Sequence, residues 1–395
     1  MKRLSSLLFA LLCLASAEAQ KPLPVVVSTL GKASTERTEI ILPQVKGFNC
    51  YKADFHIHTS YSDGQVTPAG RVDEAWYDGL DILAITDHYE NHSGVKKFLK
   101  VTAPYNEDGQ PTPYKATAKE NEVKIDFNAI HAEAERRNAK KGYNLLLVKG
   151  CEMARSKEKL GHYNALFVED LNTIYNFDLK EAFKNVKRQG GIVIHNHPGN
   201  VEKYETEWHA ECRKEGLIDG VEVANGYRYY PQMVRRCVDE KLTMFGNTDA
   251  HGLNSHRFAT TGVFRTMTFV LAKDCTEKAI KNAIKKRRTI VYSGGCLIGE
   301  EAWLSEFANA AIDCRLAKVN EKKGSRTFHI TNNSSIAFHL RKGRTIYELE
   351  PFKSLSVNFG KHKESGKYRA PKFTVENMWC VDHKHPVLEL DIDKR

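Results

Sequence analysis

The sequence predicts an α/β protein, built as a (β/α) barrel with a small antiparallel β domain after it. The first observation is a series of short apolar runs, each followed by a segment of helix length, which is typical of parallel strands with crossover helices. The second is a change after about residue 300, where apolar and polar residues begin to alternate as in antiparallel strands. A doubly wound open sheet is the alternative to the barrel, because both folds repeat strand and helix.

The first nineteen residues predict a cleaved signal peptide. Lys2 and Arg3 precede an apolar run over 7–14, and Ala17-Glu18-Ala19 follows in the small-residue pattern of a cleavage site. The run is too short to span a bilayer, although a retained anchor is the alternative. We therefore expect an exported protein, periplasmic or secreted, with no transmembrane segment in the mature chain. Residues 20–50 carry few signals and are expected to form an N-terminal extension.

Composition excludes several classes of protein. The 395 residues are 41% hydrophobic and 27% charged, which excludes a disordered tail, a collagen and a small disulfide-rich domain. The formal charge of +10, or +9 once Lys2, Arg3 and Glu18 are removed, favours anionic partners without separating nucleic acid from small phosphates. Eight cysteines remain after Cys13 and could pair in an oxidising compartment, but no C-x-x-C motif occurs. Any metal site is therefore expected to use nitrogen and oxygen ligands.

Seven apolar runs within residues 51–300 predict the strands of the barrel. The runs are Ala53–Ile57, Ile82–Thr86, Leu145–Val148, Gly191–His195, Val221–Ala224, Leu242–Gly246 and Thr289–Tyr292. Amphipathic segments between them predict helices, among them Phe127–Lys141, Leu179–Gln189 and Thr276–Lys286. Gly142 and Gly190 follow the first two of these segments, where helices commonly end.

Residues 301–395 are predicted to form a C-terminal β-rich domain. A helical stretch over Glu300–Ala311 leads into three alternating segments over 327–331, 336–340 and 355–359. Turn-forming residues separate these segments, so they predict a small antiparallel sheet.

Side chains able to bind metals recur at the carboxyl ends of the predicted strands. His56 and His58 are two residues apart, so on an extended strand their side chains share one face. The others are Asp63, Asp87, His88, Glu152, His195, His197, Asp249 and His251. Each one alone is typical of the turn after a strand, but a barrel brings these ends together, and unpaired buried carboxylates would be costly there. The pattern therefore predicts a polynuclear metal site.

These motifs, taken together, resemble those of the PHP (polymerase and histidinol phosphatase) superfamily. The resemblance covers roughly residues 51–300 and rests, in order, on Asp54-Phe-His-Ile-His-Thr, Ser62-Asp-Gly, Ile85-Thr-Asp-His, Glu152, Gly161-His162, His197-Pro198-Gly199 and Asp249-Ala-His251. It implies a distorted (β/α)7 barrel that holds up to three divalent ions, zinc, manganese or iron, and that cleaves phosphate esters.

The resemblance also implies which residues hold the ions. One ion would be held by His56, His58, Glu152 and Asp249. Glu152 would bridge to a second ion on His162 and His197, and a third would lie on Asp63, His88 and His251. Imidazole and carboxylate groups are ligands that such ions accept, and a bridging carboxylate can hold two of the ions roughly 3.5–4 Å apart. A water bound between two such ions loses a proton near neutral pH and becomes a hydroxide nucleophile.

Catalytic roles outside the ligand set remain open. Asp87 and His195 are candidates for the acid that protonates the leaving oxygen, with simple hydrogen-bonding support as the alternative for each. Arg257 is a candidate for binding a phosphate oxygen, with a solvated arginine as the alternative. The tyrosines after the fifth predicted strand could line a substrate pocket or pack in the core; they are Tyr227, Tyr229 and Tyr230.

The predicted function is hydrolysis of phosphate esters by a metal-bridging hydroxide. Export and the β-rich C-terminal part make the chain resemble, more closely, secreted PHP phosphodiesterases that act on organophosphate diesters, so a small-molecule diester is the expected substrate. A phosphomonoesterase of the histidinol-phosphatase type is the alternative enzyme, and a non-catalytic metal-binding or surface-binding protein is the alternative from another class. Nucleic acid is not the expected partner, because no stripe of aromatic and basic residues is present.

Overall fold

The structure is a computed structural model that describes residues 36–89, 114–116, 123–155, 159–200, 206–258, 262–360 and 371–392. The predicted signal peptide and the first part of the predicted N-terminal extension lie outside these residues. The chain divides into two units, and Thr38–Arg395 make up the second, which is compact. Within the described ranges, no helix has the length and apolar character needed to cross a bilayer.

The described strands fall into a large sheet, two smaller C-terminal sheets and a short hairpin. Up to residue 300 they are β1 (Asn49–Asp54), β2 (Ile82–Ile85), β3 (Tyr114–Ala116), β4 (Val123–Ile125), β5 (Leu146–Arg155), β6 (Gly161–Leu166), β7 (Ile192–Asn196), β8 (Gly220–Asn225), β9 (Arg228–Tyr229), β10 (Thr243–Asn247), β11 (Met267–Ala272), β12 (Thr289–Ser293) and β13 (Cys296–Ile298). After residue 300 the strands are β14 (Ile312–Asn320), β15 (Ser325–Asn332), β16 (Phe338–Lys342), β17 (Thr345–Leu349), β18 (Ser354–Gly360), β19 (Lys372–Val375), β20 (Met378–Trp379) and β21 (Val387–Glu389).

Helices connect these strands and cover the large sheet. They are α1 (Pro68–Tyr77), α2 (Phe127–Lys141), α3 (Leu179–Arg188), α4 (Glu207–Lys214), α5 (Pro231–Asp239), α6 (Asn254–Phe258), α7 (Glu277–Lys285) and α8 (Glu301–Ala311). Several begin at a threonine or aspartate whose side chain accepts a hydrogen bond from a backbone N–H of the first turn, as Thr67 does for α1 and Asp126 does for α2. The left-handed Gly142 ends α2, as the sequence predicts.

The large sheet is mixed and curls into a half-barrel. Its order is β10-β8-β7-β6-β5-β2-β1-β11-β12-β13-β20, with β9 paired to β8. The pairs β1/β2, β2/β5, β7/β8 and β8/β10 are parallel. The strands β6 and β11 are antiparallel to both of their neighbours. The α/β class is therefore confirmed, whereas the repeat of seven strand-helix units is interrupted by antiparallel strands and stays a prediction.

The C-terminal residues form two antiparallel sheets with a shared core. One sheet has the order β14-β15-β18 and the other β17-β16-β19-β21. Phe359 of the first sheet contacts Phe328 of the same sheet and Phe373 of the second, at ring-centroid distances of 5.7 and 5.5 Å. Strand β20 leaves this region and pairs in parallel with β13, so the C-terminal part also completes the large sheet.

Candidate metal centre

Nine side chains converge where the parallel strands of the half-barrel end. They are the nine ligands that the resemblance implies: His56, His58, Asp63, His88, Glu152, His162, His197, Asp249 and His251. They fall into overlapping groups whose nitrogen and oxygen atoms all lie within 4.8 Å of one another. The groups are His58, Asp63, His88 and His251; His56, His197 and Asp249; His56, His58 and Glu152; and His88, Glu152 and His162.

Glu152 lies at the middle of this cluster and is fully buried. Its two carboxylate oxygens face different imidazoles. Oε1 lies 3.3–3.4 Å from ring nitrogens of His56, His162 and His197, and Oε2 lies 3.0–3.4 Å from those of His58 and His88. The Asn196 amide also donates to Oε1, at 2.8 Å. A carboxylate in this position can hold two cations at once, one on each oxygen.

Two aspartates complete the cluster on either side of Glu152. Asp249 Oδ1 lies 3.3 Å from His56 Nε2 and 3.2 Å from His58 Nε2. Asp63 lies beyond His58 and His88, with oxygens 3.5 Å from His58 Nδ1 and 3.4 Å from His88 Nε2. These two imidazoles therefore each stand between Glu152 and Asp63. The implied division of the ligands among three ions stays a prediction, since the structure places His88 with both carboxylates.

The cluster has a buried floor and an open side. The side chains of His56 and His58 are fully buried, whereas those of Asp63 and His251 are 35% and 40% exposed. His251 Nε2 lies 3.3 Å from Asp63 Oδ1 at this open side. A small molecule from solvent would therefore reach the cluster beside Asp63 and His251.

Mutual electrostatics dominate the protonation of the cluster. Burial alone would raise the pKa of Glu152, but the surrounding imidazoles of His88, His56 and His162 outweigh it and hold that pKa well below its ordinary value. Conversely, burial would lower the pKa of His56, yet Asp249 and Glu222 raise it well above the ordinary value. Burial prevails at His58, whose pKa is lowered.

The cluster fits divalent cations. Among the described residues, the buried atoms Glu152 Oε2 and Asp249 Oδ1 have no hydrogen-bond donor. Burying a polar group without a hydrogen-bond partner destabilises the folded state by roughly 2–7 kcal/mol, and burying a carboxylate oxygen costs more unless a cation faces it. The imidazole and carboxylate atoms around these two oxygens are the ligands that zinc, manganese and iron accept. A divalent ion would thus satisfy atoms that the protein leaves unsatisfied.

Two of the candidate ligands are held in a strained backbone conformation. His197 has φ of 26° and Asp249 has φ of 50°, in the left-handed region that residues other than glycine rarely adopt. His197 N donates to Glu222 Oε2 at 2.7 Å, and Asp249 N donates to the His56 carbonyl at 2.8 Å. The strain is therefore maintained by hydrogen bonds within the site, as is typical of functional positions.

Glu222 belongs to the site although sequence reasoning missed it. It is fully buried on β8, and its Oε1 lies 2.8 Å from His56 Nδ1. The amides of Asn225 and Asn247 also donate to it. The available signal was a single acid within the apolar run Val221–Ala224, which buried strands carry only where a partner is present.

Two buried arginines, also missed, fix the segments that carry the ligands. Arg71 of α1 donates to the carbonyls of His58, Ala250 and Gly252 at 2.8–2.9 Å. Arg265 donates to Asp54 Oδ2, two residues before His56, at 2.6 Å. Arg71 therefore holds backbone carbonyls beside candidate ligands, whereas Arg265 pairs with the carboxylate of Asp54.

The three predicted catalytic residues lie outside the cluster or outside the described atoms. Asp87 accepts hydrogen bonds from Thr59 N, Thr59 Oγ1 and Ser62 Oγ at 2.5–2.7 Å, so it anchors the loop after His58. His195 stacks on Tyr163 on the opposite face of β7 from Asn196. The side chain of Arg257 is not among those described. The catalytic roles of all three stay predictions.

Comparison with known proteins identifies what this arrangement resembles. The model of the PHP domain matches residues 54–221. The crystal structure of a two-domain protein from Bacteroides vulgatus, containing a predicted PHP-like metal-dependent phosphoesterase, is 30% identical with a TM-score of 0.77, and the alignment covers 90% of this chain and 99% of that one. No curated protein matches.

Two further structures share less of the fold. A protein from Bifidobacterium adolescentis described as a metal-dependent phosphoesterase is 16% identical, with a TM-score of 0.36 and coverage of 51% of this chain and 88% of that one. An amidohydrolase from Chromobacterium violaceum with bound sulfate is also 16% identical, with a TM-score of 0.34 and coverage of 51% and 87%.

Proposed function

This chain belongs to the PHP family of metal-dependent phosphoesterases, and on that premise we propose that it hydrolyses phosphate esters and prefers diesters to monoesters. The observation that carries the proposal is Glu152, a fully buried carboxylate whose two oxygens face five imidazoles. Imidazoles gathered around a buried carboxylate form a donor set that divalent cations accept.

The residues of the chain prepare the site for phosphoryl transfer. Divalent ions bound here would supply Lewis-acid chemistry, lowering the pKa of a water nucleophile and neutralising charge on the phosphoryl oxygens. Glu222 accepts a hydrogen bond from His56 Nδ1–H and so directs His56 Nε2 at Glu152 and Asp249. The open side at Asp63 and His251 admits the ester.

Charge supports the preference for diesters. Four carboxylates, those of Asp63, Glu152, Asp249 and Glu222, lie in or against the cluster. A monoester dianion brings more negative charge to this site than a diester monoanion does, and it needs correspondingly more neutralisation in the transition state. An open side also leaves room for the second substituent of a diester. Export to the periplasm or the medium, where small organophosphate diesters would be met, is part of the proposal.

A substrate comparison tests the proposal. The full chain is stripped with a chelator, reconstituted with manganese, zinc or iron, and assayed on p-nitrophenyl phosphate, bis(p-nitrophenyl) phosphate and an alkyl phenyl phosphate diester. We expect no turnover without metal and a higher kcat/KM for a diester than for the monoester.

Other outcomes separate the alternatives. A monoester kcat/KM above that of every diester would favour the phosphomonoesterase. Metal binding at stoichiometry without hydrolysis of any ester would favour a non-catalytic metal-binding protein. Full turnover by protein shown to be metal-free would overturn the mechanism.

A further inference from the structure

A hairpin places one more side chain beside the metal centre. Strand β9 pairs antiparallel with the end of β8, so that Arg228 lies directly opposite Asn225. Residues directly opposed in an antiparallel pair project from the same face. The Asn225 amide donates to Glu222 Oε2 at 2.9 Å and to Asp249 Oδ2 at 3.3 Å. Arg228 therefore leaves the hairpin on the face that looks toward Asp249.

The guanidinium of Arg228 reaches the loop that follows a second ligand. Its Nη1 donates to Asn200 Oδ1 at 2.7 Å, and Asn200 N donates to the carbonyl of His197 at 3.3 Å. Arg228 and Asn200 are both exposed. The guanidinium thus lies at the rim, between the hairpin next to Asp249 and the loop after His197.

Most of the N–H donors of this guanidinium form no hydrogen bond with the residues that the structure describes. A guanidinium carries five N–H donors, and the hydrogen bond to Asn200 is the one that the described residues provide. No described carboxylate lies within ion-pair distance of it, in contrast to Arg265, which is held by Asp54 and Asp78. A cation of this kind beside a site for anions is available to a ligand.

The backbone under Arg228 is firmly held. The carbonyl of Gly226 in the hairpin turn accepts hydrogen bonds from Thr266 Oγ1 at 2.5 Å and Ser293 Oγ at 2.9 Å. Next to Arg228, the ring of Tyr229 contacts that of Trp379 at 5.3 Å. The side chain of Arg228 therefore starts from a fixed backbone position, which lowers the entropy cost of binding a ligand.

We infer that Arg228 is a substrate-binding residue that donates to a non-bridging phosphoryl oxygen of the ester while the phosphorus lies over the metal centre. The inference rests on the proposed function, because it takes a phosphate ester as the ligand. Asn200 accepts from one arm of the guanidinium and leaves the others for the phosphoryl group. Arginine suits this role because its planar fork matches the spacing of phosphoryl oxygens.

Three variants of the full, metal-loaded chain test the inference. Arg228→Gln removes the charge, Arg228→Lys keeps the charge without the fork, and Arg315→Gln removes an exposed arginine from β14 as a matched control. For each we would measure bound metal by elemental analysis, kcat/KM for bis(p-nitrophenyl) phosphate, and the affinity for inorganic phosphate by calorimetry.

The expected pattern has three parts. Arg228→Gln should lower kcat/KM by about 30- to 100-fold and weaken phosphate binding by about 10-fold, because one charge-assisted contact to the anion is lost. The kcat/KM and phosphate affinity of Arg228→Lys should lie between those of Arg228→Gln and the native chain. Those of Arg315→Gln should match the native chain. Metal content should be the same in all four proteins, which a general loss of structure would not allow.

Any of three results would overturn the inference. They are a kcat/KM of Arg228→Gln within twofold of the native value, no phosphate binding by the native chain, and the same phosphate affinity in Arg228→Gln as in the native chain. Failure of the proposed function is distinguishable from all three. In that case the native chain would turn over no ester, while phosphate would still bind in a manner that depends on Arg228.

Discussion

The orientation of His56 depends on a single carboxylate. Glu222 Oε1 lies 2.8 Å from His56 Nδ1, so the proton of the neutral ring is held on Nδ1 and Nε2 is left to face Glu152 and Asp249. The same carboxylate accepts hydrogen bonds from the backbone N–H of His197 and from two asparagine amides. Glu222 thereby positions two ligands without being one.

Glu222→Gln tests this positioning. The amide keeps the shape of the side chain but can present an N–H toward His56 Nδ1, so the ring should lose its fixed tautomer. We expect metal affinity or kcat/KM to fall by about 10- to 100-fold, as is typical when such a partner of a metal ligand is changed. Competitive metal titration and steady-state kinetics provide the measurement. The exposed Glu348→Gln is the control, and metal affinity and kcat/KM that are both equal in the two variants would contradict the prediction.

Glu152→Gln should be more severe. The substitution removes one negative charge from among five imidazoles and replaces an oxygen with an amide nitrogen, which does not bind a metal in its protonated form. We expect at least one metal to be bound more weakly and turnover to fall on the order of 10³-fold or more. The far-UV circular dichroism should be unchanged. Native metal content together with near-native turnover would remove Glu152 from the site.

That the nine candidate ligands lie together could be predicted from the sequence, but the residues that orient them could not. Histidines and acids at strand ends form motifs, because their spacing along the chain is set by the strands that carry them. Glu222 and Arg71 act on segments distant in sequence, and Arg71 is 179 residues from one of its acceptors, Ala250. Asp87 was predicted as a catalytic candidate because it is adjacent to His88, whereas its carboxylate accepts hydrogen bonds from Thr59 and Ser62. Adjacency in sequence does not show which way a side chain points.

At the scale of elements, helix α1 connects two ligand-bearing loops. Arg71 is fully buried and joins the carbonyl of His58 to those of Ala250 and Gly252, which flank His251. Glu74, one turn later, pairs with Arg71 and accepts from the backbone N–H of Asn254. The helix therefore sets the distance between the loop after β1 and the loop after β10.

Arg71→Met should separate these loops. The substitution removes the hydrogen bonds of Arg71 to three carbonyls and its ion pair with Glu74, and removing one partner of a buried ion pair costs about 3–5 kcal/mol. Urea unfolding of the metal-free protein measures this loss, and the metal stoichiometry below the unfolding transition should fall as well. The exposed Arg136→Met on α2 is the control and should change stability by less than about 0.5 kcal/mol. A stability loss with full metal stoichiometry would limit Arg71 to a purely structural role.

The pairing of the strands explains why the architecture was predicted only in part. Strand β6 was not among the predicted runs, because His162 and Asn164 face the site and interrupt the apolar sequence. Strand β11 is buried throughout but was also not among the predicted runs, and nothing in its own residues indicates that it runs antiparallel to β1. Hydrophobic pattern reports which residues are buried, whereas strand direction is set by connections and partners elsewhere in the chain.

For the whole molecule, the charge balance of the centre predicts how metal-free protein responds to pH. The pKa values of His56, His197 and His251 are raised above 6.5, because the facing carboxylates outweigh burial. A histidine whose pKa is higher in the folded than in the unfolded state stabilises the folded state fully at pH values below its unfolded-state pKa. That stabilisation is lost as the pH rises through its folded-state pKa. Chelator-treated protein should therefore melt at progressively lower temperature from pH 6.5 to pH 9.

Metal should reverse this trend. Divalent ions replace the protons as the positive charges among the carboxylates, and they bind neutral imidazole more strongly as pH rises. Melting temperatures at pH 6, 7.5 and 9, with and without metal, measure the difference. A metal-free protein that becomes more stable between pH 6.5 and 9 would contradict the raised pKa values.

The core of the molecule is continuous across the predicted boundary near residue 300. Phe307 of α8 lies between the two regions, with its ring 5.9 Å from that of Phe269 in the half-barrel and 6.5 Å from that of Phe338 in the C-terminal part. Strand β20 adds hydrogen bonds to the large sheet at β13. Residues after 300 therefore stabilise the sheet that carries the metal centre.

Phe307→Ala should consequently destabilise both regions together. Truncating a fully buried phenylalanine costs about 3–5 kcal/mol, and here the cavity would adjoin the half-barrel and the C-terminal sheets alike. We expect calorimetry to show one unfolding transition in the native chain and one, at lower temperature, in the variant. Phe352→Ala, at a phenylalanine that is 54% exposed, is the control and should leave the transition nearly unchanged. Because the core is shared, unfolding of either part exposes apolar surface of the other, and the two parts should unfold together. Two separate transitions in the native chain, with only one of them shifted in Phe307→Ala, would instead show that the C-terminal part folds independently.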